Sequence, residues 1–301
     1  MAATSRLARL QQFLVAGLIA AAAIWMATWW PGHPAIAIAG GIAILLIHAG
    51  PLALEFILLG PASKADPSPR PRMRDLLGAW AREVVQDVRV FAWRQPFAWR
   101  RCPDRLQGAD GAAGIVFIHG FVCNRGFWTP WLREAQRLGH PFMAVNLEPV
   151  FGSIDAYVPI IDDAVRRMLA ATGRPPLLVC HSMGGLAARA WLRRAADGTR
   201  VSHVVTIASP HQGTWLARFG RTANGRQMRM EGEWLRALRS EERLAADRFT
   251  CWYSNCDNVV FPPMAATLPG AENRLLAGAA HVDLAFRPEV LAHTFSLARS
   301  L

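Results

Sequence analysis

Lysine is almost missing from this chain. Of 33 cationic side chains only Lys64 is a lysine, and the rest are arginine. A bias of that kind follows from genome composition as readily as from phosphate chemistry. No nucleic-acid-binding motif accompanies it, so the net charge of +11 does not direct the chain to DNA or RNA. Cysteine is scarce as well. Cys102, Cys123, Cys180, Cys251 and Cys256 are odd in number and include no ligand-spaced pair. Neither a disulfide framework nor a zinc site is expected. Repeats are lacking too: the nearest approach is Phe-Ala-Trp-Arg at 91–94 and again at 97–100.

What the chain has in excess is apolar sequence, 52% of residues, unevenly spread. Residues 13–30 carry no charge, and 35–59 are nearly as apolar. Each run is about long enough to cross a hydrocarbon core of ~30 Å as a helix. Pro31, Gly32, His33 and Pro34 form a tight turn between them. The expectation is a two-helix transmembrane hairpin over residues 1–61. A cleaved signal peptide is the competing reading of the first run. Against it, no small-x-small site precedes a polar mature start, and Trp25, Trp29 and Trp30 suit an interfacial aromatic belt.

Arg6 and Arg9 precede the two runs, and Lys64, Arg70, Arg72 and Arg74 follow them. The turn between carries no Lys or Arg. The positive-inside bias then places both ends, and everything after residue 61, on the cytoplasmic side of a bacterial inner membrane. His48 and Glu55 share one helical face of the second run. A structural role is expected for both, with Glu55 snorkelling outward and His48 bonded to the first helix. Residues 64–105 hold ten Lys/Arg against five Asp/Glu, which makes anionic membrane lipids the nearest partner.

Residues 62–89 read as a linker and an amphipathic juxtamembrane segment. The part 62–71 is rich in proline. Leu76, Leu77, Trp80, Val84, Val85 and Val88 then recur over 75–89 with a period near 3.6 residues. The Phe-Ala-Trp-Arg echo around Gln95 and Pro96 fits two edge strands and a turn. From residue 114 the pattern alternates, with strands at 114–118, 142–147, 176–180, 201–208, 249–254 and 273–277. Helices are expected at 127–138, 156–171, 183–196 and 288–298. This is an α/β rhythm. It predicts a mostly parallel sheet covered on both faces, with a site at the carboxyl ends of its strands.

One such end carries a chemical signal. Residues 177–185 read Leu-Leu-Val-Cys-His-Ser-Met-Gly-Gly. An apolar strand runs into a small-residue turn with Ser182 at its centre, the pattern of a nucleophile elbow. A serine hydroxyl needs a base, and the base needs an orienting acid. Asp257 stands in the loop after strand 249–254, and His281 follows strand 273–277, so the order is serine, acid, histidine. His293 falls within the closing helix, His203 opens a strand, and His181 points elsewhere on the elbow. Asp197 and Asp247 stand at helix ends, where capping or solvation explains them. For the oxyanion, the residue after the nucleophile offers the Met183 N–H. The His119-Gly120-Phe121 turn after the first strand offers the Phe121 N–H.

These residues resemble bacterial lipases and esterases of the α/β-hydrolase superfamily, of the triacylglycerol-lipase-like kind. The resemblance rests on residues 117–121, 180–185, 204–214 and the Asp257/His281 pair, and covers about 90–301. It implies an α/β-hydrolase fold and a carboxylic ester hydrolase acting on acyl or lipid esters. The catalytic residues would be Ser182, Asp257 and His281, with Phe121 and Met183 N–H groups binding the oxyanion. An acyltransferase or thioesterase on the same residues is the nearest alternative, and a non-catalytic binding protein of this fold is a second. Cys180 replaces the usual first glycine of the elbow, so slight repacking is expected there. Some relatives bind calcium near the histidine, and Asp283 echoes one such ligand. With no second ligand in view, neither a metal nor a cofactor is expected. Residues 215–248 mix apolar side chains with many arginines and read as a candidate lid.

Overall fold

The computed structural model describes residues 5–109, 111–194, 200–240 and 246–301. Four helices come first: α1 (Arg6–Trp29), α2 (Pro34–Leu45), α3 (Ala49–Ala62) and α4 (Met73–Asp87). A π-helical turn (Val88–Arg94) and a short α5 (Gln95–Phe97) continue α4. The body then alternates through β1 (Ile115–Ile118), α6 (Thr129–Arg137), β2 (Phe142–Ala144), α7 (Val158–Thr172), β3 (Leu177–His181), α8 (Met183–Arg194) and β4 (His203–Ile207). It closes with α9 (Ala223–Gln227), α10 (Glu233–Ser240), β5 (Phe249–Tyr253), β6 (Glu272–Leu275), α11 (His281–Leu284) and α12 (Pro288–Ser300).

Among the described residues, six parallel strands form one sheet in the order β2-β1-β3-β4-β5-β6. The chain steps outward from β1 to β2, then returns to pair β3 on the other side of β1. That reversal opens a crevice at the carboxyl ends of β1 and β3. Ile118 pairs with Cys180 at this rim, so the 119–121 turn and Ser182 leave the sheet side by side.

Strand side chains alternate between the two faces. Val116, Ile118, Leu178, Cys180 and Val204 pack against α7 and α8, with Tyr157, Ile161, Val165 and Leu186. Ile115, Phe117, Leu177, Val179 and Val205 pack on the other face, with Trp128, Trp131 and Phe295. Phe117 lies 5.2 Å from Trp128 and 6.1 Å from Trp131, ring to ring. Both faces are covered, which is why these strands read as unbroken apolar runs. Gly184 is required where α8 meets β1: a Cβ there would collide with the carbonyl oxygens of Ile118 and His119.

The N-terminal segment departs from two straight helices joined by a turn. Among the described residues, α1 alone is by itself long and apolar enough to cross a membrane, and α2 with α3 reach that length and apolarity together, as a bent pair. The second run is not one helix over 35–59: α2 and α3 meet at a 59° bend. Pro51 is the physical cause. It has no N–H for the Ile47 carbonyl, and its ring crowds that carbonyl. The chain restarts at His48, with Pro51 in the first turn of α3, where an N–H is not needed. α2 lies along α1, with Gly40 against the Trp25 ring and Trp25 Nε1 donating to Ile36 O at 3.1 Å.

The bend turns α3 onto the body and buries Leu52, Phe56 and Leu59. Glu55 therefore does not snorkel; its carboxylate accepts a 2.6 Å bond from Asn258 Nδ2. His48 Nε2 lies 3.3 Å from Val84 O on α4, not on the first helix. The proline-rich stretch is also tied down. Asp66 accepts the Met264 N–H at 3.0 Å, and Pro69 O accepts from Asn255 Nδ2 at 2.9 Å. The Phe-Ala-Trp-Arg echo forms no paired strands: its first copy lies in the π-helical turn, and its second leaves α5 at Phe97 into a turn. Trp93 and Phe97 stand four apart, ring to ring at 5.8 Å, a helical spacing.

Within 215–248, Leu235 and Leu238 of α10 are fully buried in the core that includes α8. Trp215 stacks on Phe261 at 5.9 Å, while Phe219 stays 65% exposed.

Candidate active site

Ser182 sits between β3 and α8 with φ +53°. A strand that becomes a helix within one residue forces that backbone, at a cost of about 1–3 kcal/mol. Surrounding bonds hold it there: Ser182 N–H donates to Ile207 O at 2.9 Å, and Gly185 N–H to Ser182 O at 3.1 Å. Cys180, the departure from glycine, is fully buried on the α7/α8 face.

The structure brings Ser182, His281 and Asp257 together. Ser182 Oγ is 3.0 Å from His281 Nε2, and His281 Nδ1 is 3.0 and 3.1 Å from the two Asp257 oxygens. All three are buried. Asp257 Oδ1 also accepts the Val259 and Val260 N–H groups at 2.9 and 2.8 Å. Its carboxylate is thus fixed from its own loop. An acceptor-only partner at Nδ1 keeps the imidazole proton there, which leaves the Nε2 lone pair for the serine hydroxyl to donate to.

The two expected oxyanion donors lie beside the serine in different ways. Met183 follows it and opens α8, where an N–H has no intrahelical acceptor and the helix dipole is positive. Phe121 follows Gly120, at which a Cβ would stand 2.7 Å from Ser182 Cβ. Only glycine allows that approach. No acceptor meets the Phe121 N–H among the described residues. Val122 next to it holds φ +52°, unusual for a β-branched residue. His119 locks the turn: its Nδ1–H donates to Gly120 O at 2.9 Å, and its Nε2 accepts the Leu147 N–H at 3.0 Å. Burial pushes the His119 imidazole down to about 4, against a smaller upward effect of the Gly120 bond. It stays neutral in neutral solution, as both bonds require.

His181 also has a place. Its ring stacks on Phe127 at 4.4 Å, and its Nε2 donates to His281 O at 3.2 Å. Burial holds it well below the usual imidazole range. The remaining candidates are elsewhere: His203 Nε2 is 2.9 Å from Thr250 Oγ1, His293 packs on Trp252, and Asp247 lies in the turn before β5. Asp197 lies outside the described residues. Asp283 pairs with Arg82 at 3.1 Å and stands 3.8 Å from Arg287. Among the described residues no group of three or more His, Cys, Asp or Glu is arranged to hold a metal ion.

Several side chains that touch the site carried no sequence signal. His281 is the first residue of α11, and its N–H donates to Asn258 Oδ1 at 3.1 Å. The next two N–H groups, of Val282 and Asp283, donate to the Glu83 oxygens at 2.7 and 2.8 Å. Glu83 is 1% exposed; burial and then Asp87 push its carboxyl well above the ordinary range, while the Val282 and Asp283 N–H bonds act in favour of the carboxylate. One turn along α4, Asp87 is pushed up to about 7, first by burial and then by the Glu55 carboxylate, with His281 acting in the opposite sense.

A carboxyl raised in the fold contributes stability that is complete below its unfolded value and is lost as pH rises through about 7. Asp87→Asn removes that loss. Its gain in unfolding free energy is expected to be roughly 3 kcal/mol larger near pH 8 than near pH 5. Denaturant titration at the two pH values reads it, and an equal effect at both contradicts the assignment.

Comparison with known proteins agrees with the topology. No curated protein matches the sequence significantly. Solved structures do. The mature Bacillus licheniformis lipase BlEst2 superposes with a TM-score of 0.55 at 17% identity, over 65% of this chain and 94% of that one. Aspergillus fumigatus lipase B gives a TM-score of 0.52 at 18% identity, over 62% of this chain and 52% of its own. At such identities the likeness speaks for the fold. The family assignment comes from residues 115–295, which span the sheet from β1 to α12 and match the family on their own account. This chain belongs to the alpha/beta hydrolase family.

Proposed function

We propose that the chain is a membrane-anchored serine hydrolase that cleaves carboxylic esters of acyl chains. The observation that carries this reading is the line from Ser182 Oγ through the His281 ring to Asp257, with 3.0 Å at each step. Ser182 attacks the ester carbonyl while His281 Nε2 takes its proton. Asp257 holds the imidazolium. The Phe121 and Met183 N–H groups receive the oxyanion. His281 returns the proton to the departing alcohol, leaving an acyl-serine. Water, deprotonated by the same imidazole, then releases the acid.

Two surfaces support an acyl substrate and a bilayer. A groove of about 660 Å³ is lined by Leu7, Leu10, Pro149, Val150 and Phe151, with Arg6 and Glu148. Phe151 lies edge-on to Phe121 at 5.8 Å, which sets one wall of the groove against the oxyanion turn. Beyond the groove, α1 exposes Phe13, Leu14, Ile19 and Ile24. Leu77, Val85, Val88, Trp93 and Phe97 are likewise exposed along α4 and α5, next to Arg89 and Arg101. Apolar side chains with arginines beside them fit a bilayer surface.

The first turns of α1 favour an anchor that stays attached over a removed leader. Leu7, Ala8 and Gln11 are buried, Gln11 Nε2 donates to Gln95 Oε1 at 2.9 Å, and Gln12 Nε2 to Pro96 O at 2.7 Å. The body lies on the side of Arg6 and Arg9, which the positive-inside bias makes cytoplasmic.

The test is a series of chromogenic esters of increasing acyl length, hydrolysed by the purified full chain in detergent. Medium-chain esters are expected to exceed acetyl ester in kcat/KM by more than about tenfold, because the groove binds methylenes. A flat series, or no hydrolysis of any ester, argues against an acyl-ester hydrolase.

A further inference from the structure

The helices that precede the family region reach into the site. We propose that Glu83 is a positioning residue for His281, so that α4 holds the histidine in line with Ser182. This rests on the serine-hydrolase reading above and deepens it.

The geometry runs as follows. His281, Val282 and Asp283 open α11, and their three N–H groups have no acceptor within that helix. Two of them end on the Glu83 carboxylate, at 2.7 and 2.8 Å. The third ends on Asn258 Oδ1 at 3.1 Å. Asn258 is held in turn by Glu55 on α3, at 2.6 Å. A carboxylate takes only the amide N–H, so Glu55 fixes which end of Asn258 faces His281. Arg82, beside Glu83, completes the grip: it donates to Gly278 O at 2.5 Å and pairs with Asp283 at 3.1 Å. Ala79, one turn before Glu83, packs with Cys256 and Ala280, each adjacent to a catalytic candidate.

The backbone around His281 is therefore set by side chains from α3 and α4, outside residues 115–295. Its own body adds Asn258 and the His181 bond to His281 O. A His281 ring displaced by even about 1 Å no longer meets Ser182 Oγ in line, which is enough to cost about a hundredfold in rate. A shift of α4, whose outer side carries Leu77 and Val85, moves the catalytic histidine.

The experiment uses the full chain in detergent and two variants, Glu83→Gln and Glu83→Ala. Gln has the same size and keeps one acceptor, but turns its NH₂ toward a second N–H. A fluorophosphonate titration to its end point counts folded, reactive serines, so rates are quoted per competent site. For Glu83→Gln, kcat on a soluble ester is expected to fall about tenfold to a hundredfold with KM within twofold. The rate of fluorophosphonate labelling should fall in parallel. Glu83→Ala should fall at least as far, with Gln giving partial rescue. If kcat per competent site stays within twofold of wild type in Glu83→Gln, Glu83 does not position His281 and only supports the fold. Ser182→Ala, run alongside, separates the two levels. Wild-type turnover in that variant removes the serine-hydrolase reading itself, whereas a dead Ser182→Ala beside a fully active Glu83→Gln removes only the inference about Glu83.

Discussion

Ser182→Ala is expected to lower kcat on a soluble ester by roughly 10⁶ while the protein remains folded. The fold should tolerate the change for a local reason. Alanine already occupies the same kind of backbone here, since Ala208 holds φ +52° beside Ser182 at +53°. The hydroxyl is held by the 3.0 Å bond to His281 Nε2. Its loss removes the attacking oxygen and leaves the Met183 and Phe121 donors in place. A residual rate above water is therefore expected from oxyanion stabilisation alone. Thermal unfolding and stopped ester assays on the same preparation check both halves. Turnover within about tenfold of wild type means that another group attacks the ester.

Asp257→Asn should cost roughly 10⁴ in kcat. The substitution keeps size and keeps an oxygen for the Val259 and Val260 N–H groups, which now bond Asp257 Oδ1. With that oxygen held by the backbone, the new NH₂ faces His281 Nδ1. Nδ1 must then accept, and the ring proton moves to Nε2. There it points at Ser182 Oγ as a donor, so the base is lost although no atom has moved far. KM should change little, because Asp257 is 1% exposed and does not line the groove at Leu7 and Phe151. A rise in KM with kcat intact would falsify the orienting role and make Asp257 a substrate-binding residue.

These outcomes rest on residues that were readable in the sequence for identifiable reasons. β3 is buried on both faces, so it reads as an apolar run, and its sudden end at Ser182 is visible without a structure. Asp257 and His281 each follow a strand end, and a parallel sheet collects strand ends at one rim. The bent second run was less legible. Its composition suits one straight helix, and a single proline at 51 bends it instead. The Phe-Ala-Trp-Arg echo misled because its six-residue spacing is a multiple of the strand period and not of the helix period. The Trp93–Phe97 spacing inside it carried the helical signal.

Glu83 was illegible for a different reason. On α4 the apolar pattern suggests an inward face that includes Leu77 and Val85, yet those two are 58% and 47% exposed. The inward face is Ala79 and Glu83. Glu83 looks like a solvated acid in its own neighbourhood, and its two N–H partners lie 199 and 200 residues away. No local pattern reports such a bond. A buried acid on an amphipathic helix becomes interpretable only when the orphan N–H groups of another element stand opposite it.

The central claim, that Ser182 is the nucleophile activated by His281, has a direct test. The full chain in detergent is treated with a fluorophosphonate, digested and mapped by mass spectrometry, with the His281→Ala variant in parallel. A covalent adduct is expected on the peptide containing Ser182, formed in step with loss of esterase activity and strongly slowed in His281→Ala. An adduct on any other residue, or full inhibition with Ser182 unmodified, contradicts it.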